Sequence, residues 1–300
     1  VVAGTVCPRA IRRRSQSIGK PDHYIKNDPV FRCSLSSLSS LSSHLVYDTH
    51  MNFSEDPINP FIETDGLIEP EIEPTDDGSQ TLRHPLFGET YHSVRGAEGE
   101  ARHVYIDAGF HYILEANDRF RAKAGNGADR KTTSVAALRI FEMGFGSGLN
   151  AWLTARAAAG TGRRVEYIAL EHYPVAMGTV QGLGYAADPL FVALHQAPWN
   201  EAVPATESFS LKKVAASLLN YRFDTTFDLV YFDAFAPDAQ PELWTREVFA
   251  KLFAALHSEG VLVTYSAKGM VKENLRAAGF EVHRLPGALG KHHMLRAVKR

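Results

Sequence analysis

The sequence predicts an α/β protein on a mostly parallel, Rossmann-like sheet of seven strands, with a small β-rich cap ahead of it. Three observations predict this. Apolar strands alternate with helices from Ser134 to the C-terminus. One strand runs into a glycine-rich turn that opens a helix. The last two strands are joined by a turn too short to hold a helix. Repeated βα units require parallel strands with right-handed crossovers.

At the N-terminus, residues 1–50 carry the low-complexity run Ser34–Ser43 (SLSSLSSLSS). Such a run cannot bury enough apolar surface to offset its ordering entropy, so this tail is expected to be disordered. Arg9 and Arg12–Arg14 lack the apolar stretch of a signal peptide behind them. The abrupt change of composition after Met51 makes Met51 the expected natural start, with residues 1–50 translated upstream sequence. Residues 51–80 hold nine Asp or Glu, no Lys or Arg, and four prolines, and are expected to be flexible. Residues 81–133 form the expected cap. His103–Asp107 (HVYID) reads as a strand pairing with Tyr91–Val94, Phe110–Arg121 as a helix, and Asn126–Thr133 as a loop.

The main domain is expected over residues 134–300. Its strands are Leu138–Met143, Val165–Leu170, Thr206–Val214, Phe227–Phe232, Gly260–Ser266, Glu281–Leu285 and His293–Val298. Its helices include Leu149–Ala159, Arg246–Leu256 and Val271–Ala278. Only the Pro286–Lys291 turn separates the last two strands, so that pair must be antiparallel.

Composition excludes several classes. The two cysteines, Cys7 and Cys33, provide no disulfide framework or paired metal site, as in a reducing cytoplasm. No apolar run is long enough for a membrane span. His292 and His293 adjoin each other without an acid or cysteine at familiar ligand spacing, so no metal is expected. The net charge of −2 does not mark a nucleic-acid binder, but residues 261–300 hold eight Lys or Arg against two acids. A local basic stretch of this kind can meet phosphates.

Chemistry gathers at strand ends, where ligands of open α/β sheets bind. Phe141–Asn150 reads FEMGFGSGLN: strand, glycine loop, helix. Glycines admit close approach of a ligand, and the helix start offers free N–H groups. The spacing is GxGxG, with Leu149 where the dinucleotide fingerprint needs glycine. The loop therefore fits the amino-acid end of S-adenosylmethionine better than a pyrophosphate. Glu171 ends a strand 23 residues past Gly148, close to the spacing that brings an acid to ribose hydroxyls. Asp233 ends the most apolar strand and points toward the same crevice. Trp244 is expected in the core.

These segments carry a resemblance. FEMGFGSGLN, ALEHYP, the APW of Ala197–Trp199, YFDAFAPDAQPELW and the GKHHML of Gly290–Leu295 resemble the methyltransferases that form 5-methylaminomethyl-2-thiouridine in tRNA. That family comprises the methyltransferase half of bifunctional MnmC and its stand-alone, MnmD-like relatives. HVYIDAGF is similar to the same family. The resemblance implies a class I methyltransferase sheet, a bound S-adenosylmethionine and a tRNA wobble uridine bearing a free aminomethyl group. It implies cofactor contacts from Glu142, Gly144, Phe145, Gly146, Gly148, Asn150, Glu171 and Asp233. Ser217 stands where the family carries an acid near the adenine. Asp233 is implied as the catalytic group, Phe235 and Pro237 as readers of the base, and Lys268, Lys272 and Lys291 as phosphate contacts. No residues follow Arg300 for a flavin oxidase domain, so FAD is not expected. Rival readings are methyl transfer to a small-molecule amine and a non-catalytic nucleotide- or tRNA-binding module.

Overall fold

The order of the main sheet follows from which strands are covered on both faces. The computed structural model describes residues 67–123 and 136–300, without the side chains of 120–123. The expectations for residues 1–50 and for the Asn126–Thr133 loop lie outside the described residues. Strands β3 (Leu138–Met143) and β7 (Phe227–Phe232) lie side by side at the centre and are buried almost throughout. That is why apolar residues dominate both, LRIFEM and FDLVYF.

Around this pair stand β4 (Val165–Glu171), parallel to β3, β6 (Phe209–Ala215), parallel to β4, and β8 (Leu256–Thr264), parallel to β7. Strand β10 (His293–Val298) inserts antiparallel between β8 and β9 (Glu281–Pro286), as the short turn between the last strands requires. The edge strand β5 (Ala202–Pro204) pairs antiparallel with β6. Among the described residues the sheet thus has eight strands in the order β5-β6-β4-β3-β7-β8-β10-β9, one more than the seven expected. Three residues ending in a proline give too little alternation to be legible as a strand.

Two apolar layers cover the sheet. Helices α3 (Leu149–Ala159) and α5 (Pro189–Gln196) bury Trp152, Phe191 and Leu194 on one face. Helices α6 (Arg246–Ala255) and α7 (Gly269–Ala277) bury Phe249, Leu252 and Leu275 on the other. Trp244 is fully buried in this second layer, and its Nε1 donates to the Phe235 carbonyl at 2.8 Å.

The N-terminal region departs from the sequence reading. A short hairpin of β1 (Glu71–Pro74) and β2 (Gln80–Arg83) does form. Part of the acidic stretch expected to be flexible is therefore a strand. His103–Asp107 is not a strand, and Tyr91–Val94 has no strand partner. Residues from α1 (Ala97–Ala101) through α2 (Tyr112–Lys123) are helical without a break, and Arg102–His111 between them is π-helical. Val104, Tyr105 and Ile106 are buried together with Gly109 and Phe110. A strand would send Tyr105 to the face opposite Val104 and Ile106. The widened helix places all of them on one side, against the sheet. Gly109 permits that approach: a Cβ there would lie 3.0 Å from the Tyr231 ring. Packing has overridden the β-propensity of Val104 and Ile106. The cap is a hairpin plus a helix.

Candidate active site

The C-terminal ends of β3, β4 and β7 open into a cavity of about 480 Å³. That volume lies in the range of small-molecule sites. After β3 the chain must turn sharply into α3, and it does so through glycines in the left-handed region. Gly146 has φ +49 and Gly148 φ +73. A Cβ on Gly146 would lie 2.7 Å from the Tyr91 ring, and one on Gly148 would lie 2.5 Å from His195 Nε2. A side chain at Gly146 would thus intrude on the cavity lining, and one at Gly148 on the histidine packed behind the loop.

Glu171, at the end of β4, is buried and bound to the same loop. Its Oε2 accepts from Gly146 N at 2.8 Å and its Oε1 from Tyr173 N at 2.7 Å. Burial raises its carboxyl pKa, while these backbone donors oppose the rise. Asp233 follows β7. Its Oδ1 accepts from Tyr105 OH at 2.6 Å and its Oδ2 from Asn150 Nδ2 at 2.7 Å. Burial pushes its carboxyl above the usual range, and the two donors act against that push. Both donors are neutral. Burial, and then the Asp233 charge, hold the Tyr105 phenol well above its ordinary value, so it stays protonated and keeps donating.

The segment after Asp233 is fixed at several points. Tyr265 OH donates to the Ala234 carbonyl at 2.9 Å, and Phe235 N donates to Gln240 Oε1 at 3.1 Å. Phe235 faces an aromatic group from the N-terminal region. Its ring centroid lies 5.0 Å from those of His84, Phe87 and Tyr91. Tyr173 closes the group, 5.3 Å from His84. These separations suit edge-to-face aromatic packing.

The candidate residues divide by position. Gly144, Phe145, Gly146, Asn150, Glu171, Asp233, Phe235 and Lys291 line the cavity. Glu142, Gly148, Ser217, Pro237, Lys268 and Lys272 do not. Glu142 is fully buried beneath the loop, where the Asn150 and Tyr167 side chains favour its charged form against burial. Burial, and then the nearby Asp233 charge, raise its pKa well above the ordinary value. Gly148 caps α3 from behind the cavity wall. Ser217 sits in the turn after β6, where its Oγ accepts from Leu219 N. Lys268 is held by Asp238 at 2.5 Å, and Lys291 by the buried Glu100.

Sequence reading missed Tyr91, His92, Glu100, Tyr105 and Tyr265, all of which lie around this cavity or bind its groups. Tyr105 lies inside HVYIDAGF, one of the segments carrying the resemblance, so a signal existed for it. His92 and Tyr265 had none: each reaches the cavity only through long-range packing. Among the described residues no group of His, Cys, Asp and Glu could hold a metal, and no helix is long and apolar enough to cross a membrane.

S-adenosylmethionine fits this donor set. Left-handed glycines and the start of α3 suit an amino-acid end, and Glu171 suits a ribose diol. The strand order and the loop define the class of fold, that of the class I S-adenosylmethionine-dependent methyltransferases. A family model described as S-adenosyl-L-methionine-dependent methyltransferase matches residues 191–300. Within that class the chain is similar to the tRNA 5-methylaminomethyl-2-thiouridine biosynthesis bifunctional protein MnmC. It is 30% identical to MnmC of an Azoarcus species over 70% of this chain and 33% of that protein. It is likewise 30% identical to MnmC of Cupriavidus metallidurans over 76% of this chain and 34% of that one. The chain therefore spans about a third of the length of the curated relatives it matches. In fold it is similar to MnmC2 from Aquifex aeolicus, with TM-score 0.57 and 24% identity over 77% of this chain and 70% of that chain.

Proposed function

We propose that this enzyme methylates the primary amine of 5-aminomethyl-2-thiouridine at the tRNA wobble position, giving the 5-methylaminomethyl derivative. The observation that carries the reading is Asp233. A carboxylate oriented by Tyr105 and Asn150 lines the cavity beside the glycine loop and Glu171. The similarity to MnmC proteins supports the choice of acceptor.

Bound S-adenosylmethionine would supply an electrophilic methyl group to the amine nitrogen, its sulfonium becoming a neutral thioether leaving group. The protein's task is alignment and proton handling. Glu171 and Gly144–Gly146 bind and orient the cofactor. Asp233 accepts a hydrogen bond from the amine and so aims its lone pair. An aminomethyl group is an ammonium in water and must lose a proton first. Burial and the sulfonium charge of the bound cofactor would both depress that ammonium pKa and favour the loss. Phe235 and the aromatic group beside it receive the unstacked base, as RNA-binding proteins commonly arrange. A tRNA acceptor places the enzyme in the cytoplasm.

The decisive assay combines purified protein, labelled S-adenosylmethionine and tRNA from cells lacking this methylation. Label is expected in the wobble nucleoside. Label entering a free small amine and not the tRNA would show that the acceptor is a small molecule. Phosphate contact is tested by Lys268→Glu/Lys272→Glu. It should weaken tRNA binding and flatten its salt dependence by about one counterion per lost contact.

A further inference from the structure

Lys213 is a lysine where none is expected: on β6, inside the sheet's packing, and 1% exposed. No ion pair with a carboxylate holds it among the described residues. Its Nζ donates instead to the carbonyl of His195, in the last turn of α5. Two rings flank the ammonium. The Trp199 centroid lies 4.7 Å away and the Phe145 centroid 5.4 Å away. A helix C-terminus and two π faces are the neutral surroundings that tolerate a buried cation.

The chain of contacts continues toward the cavity. His195 is buried, and its Nε2 lies 3.0 Å from the Ser147 carbonyl. A carbonyl can only accept, so Nε2 carries the hydrogen. Burial lowers the pKa of His195 to about 4, which keeps the ring neutral and the donor fixed. Ser147 belongs to the glycine loop and lines the cavity, as does Phe145, whose ring packs against His195 at 5.1 Å. Left-handed glycines surround Ser147. The conformational freedom that lets the loop form also gives it other conformations, so something must select this one.

We infer that Lys213 and His195 form a brace on the hidden side of the cofactor loop, as positioning residues that preorganise it for S-adenosylmethionine. Lys213 fixes the end of α5, which fixes the His195 ring, which holds Ser147. The inference rests on the reading of this loop as the cofactor's. A purely architectural role for Lys213 predicts a lower melting temperature with unchanged affinity in the folded protein. A brace predicts lost affinity.

The test is calorimetric titration of S-adenosylmethionine at a temperature where near-ultraviolet dichroism shows each variant folded. Lys213→Met keeps the side-chain length without the charge, and His195→Phe keeps the ring without the donor. Each should weaken binding about tenfold, the scale of one hydrogen bond, or about 1.4 kcal/mol. His195→Gln offers an amide N–H in place of Nε2–H and should restore most of the affinity. The double variant Lys213→Met/His195→Phe should lose no more than about one single variant does, since both cut one linkage. Wild-type affinity in either single variant overturns the brace, as does an equal loss in His195→Gln and His195→Phe. Should a variant unfold, nitrogen NMR of wild-type His195 serves: Nε2–H with a response to cofactor supports the brace, and Nδ1–H or no response overturns it. Gly146→Ala reports on the loop separately. Lost affinity there with none lost in His195→Phe rejects the brace alone, whereas full affinity in Gly146→Ala rejects the loop reading and the brace with it.

Discussion

The two sets of residues around the cavity are built differently. The set proposed for the cofactor comes from one β-loop-α unit, Leu138–Ala159, plus the tip of the adjacent strand at Glu171. Its geometry is local: glycines, a helix start and one acid. The set proposed for the acceptor draws Asp233 from after β7, Tyr105 from the π-helical stretch, Tyr265 from after β8 and Tyr91 from the loop after β2. Few of these are near one another in sequence. The lesson is that a cofactor shared by many enzymes can be bound by a compact local device, while an acceptor site is assembled from distant parts of the chain. Asn150 joins the two, since it starts α3 and donates to Asp233.

If the two proposed sets are separable, each should be breakable alone. Asp233→Ala is expected to have the largest effect: a fall in kcat of about 10²–10⁴-fold, the range for a positioned acid–base group. Titration should show S-adenosylmethionine affinity nearly unchanged. A parallel loss of cofactor affinity would mean that the division is wrong. Gly146→Ala should do the reverse. Its Cβ meets the Tyr91 ring, an overpacking cost of about 1–3 kcal/mol, so cofactor Kd should rise about 10- to 100-fold.

Tyr105→Phe sharpens the comparison. It removes a hydrogen bond to a charged group, and about a tenfold loss in kcat is expected. That bond lowers the Asp233 pKa, so its loss should move the acid limb of the pH–rate profile to higher pH. An unmoved limb would separate Tyr105 from the protonation of Asp233.

The smallest effect is expected beneath the loop. The folded-state pKa of Glu142 is raised, so the unfolded chain releases this proton at lower pH than the native chain does. The stability it contributes is therefore fully present below the ordinary carboxylate pKa and declines as pH rises toward the folded value. Glu142→Gln removes that dependence. It should melt a little higher than wild type at pH 8 and alike near pH 4. A wild-type advantage that grows with pH would show that the carboxylate form is favoured in place.

Legibility in the sequence divides along the same line. Phe141–Asn150 could be read because each function lay on consecutive residues, and β3, β7 and β10 because burial on both faces leaves them mostly apolar. His103–Asp107 misled because Val104 and Ile106 carry strand propensity, and nothing local reports that their partners are the sheet and Gly109. Glu71–Pro74 was hidden by charge: acidic side chains mask a short strand whose stability comes from its hairpin partner. The aromatic group around Phe235 was invisible for a simpler reason. His84, Phe87 and Tyr91 meet it only once the chain has folded.

The π-helical stretch carries one more consequence, for insertion and deletion. Arg102–His111 gains its width by holding more residues per turn than an α-helix does. Removing a single residue between Ala101 and Tyr105 lets the stretch relax toward α-helical spacing. The helix beyond the deletion then turns by about 100°, the step of one residue. Tyr105 would leave Asp233 with every side chain still of the right type. At this place the site depends on the number of residues as much as on their identity, and a one-codon deletion there is a heavier lesion than most substitutions.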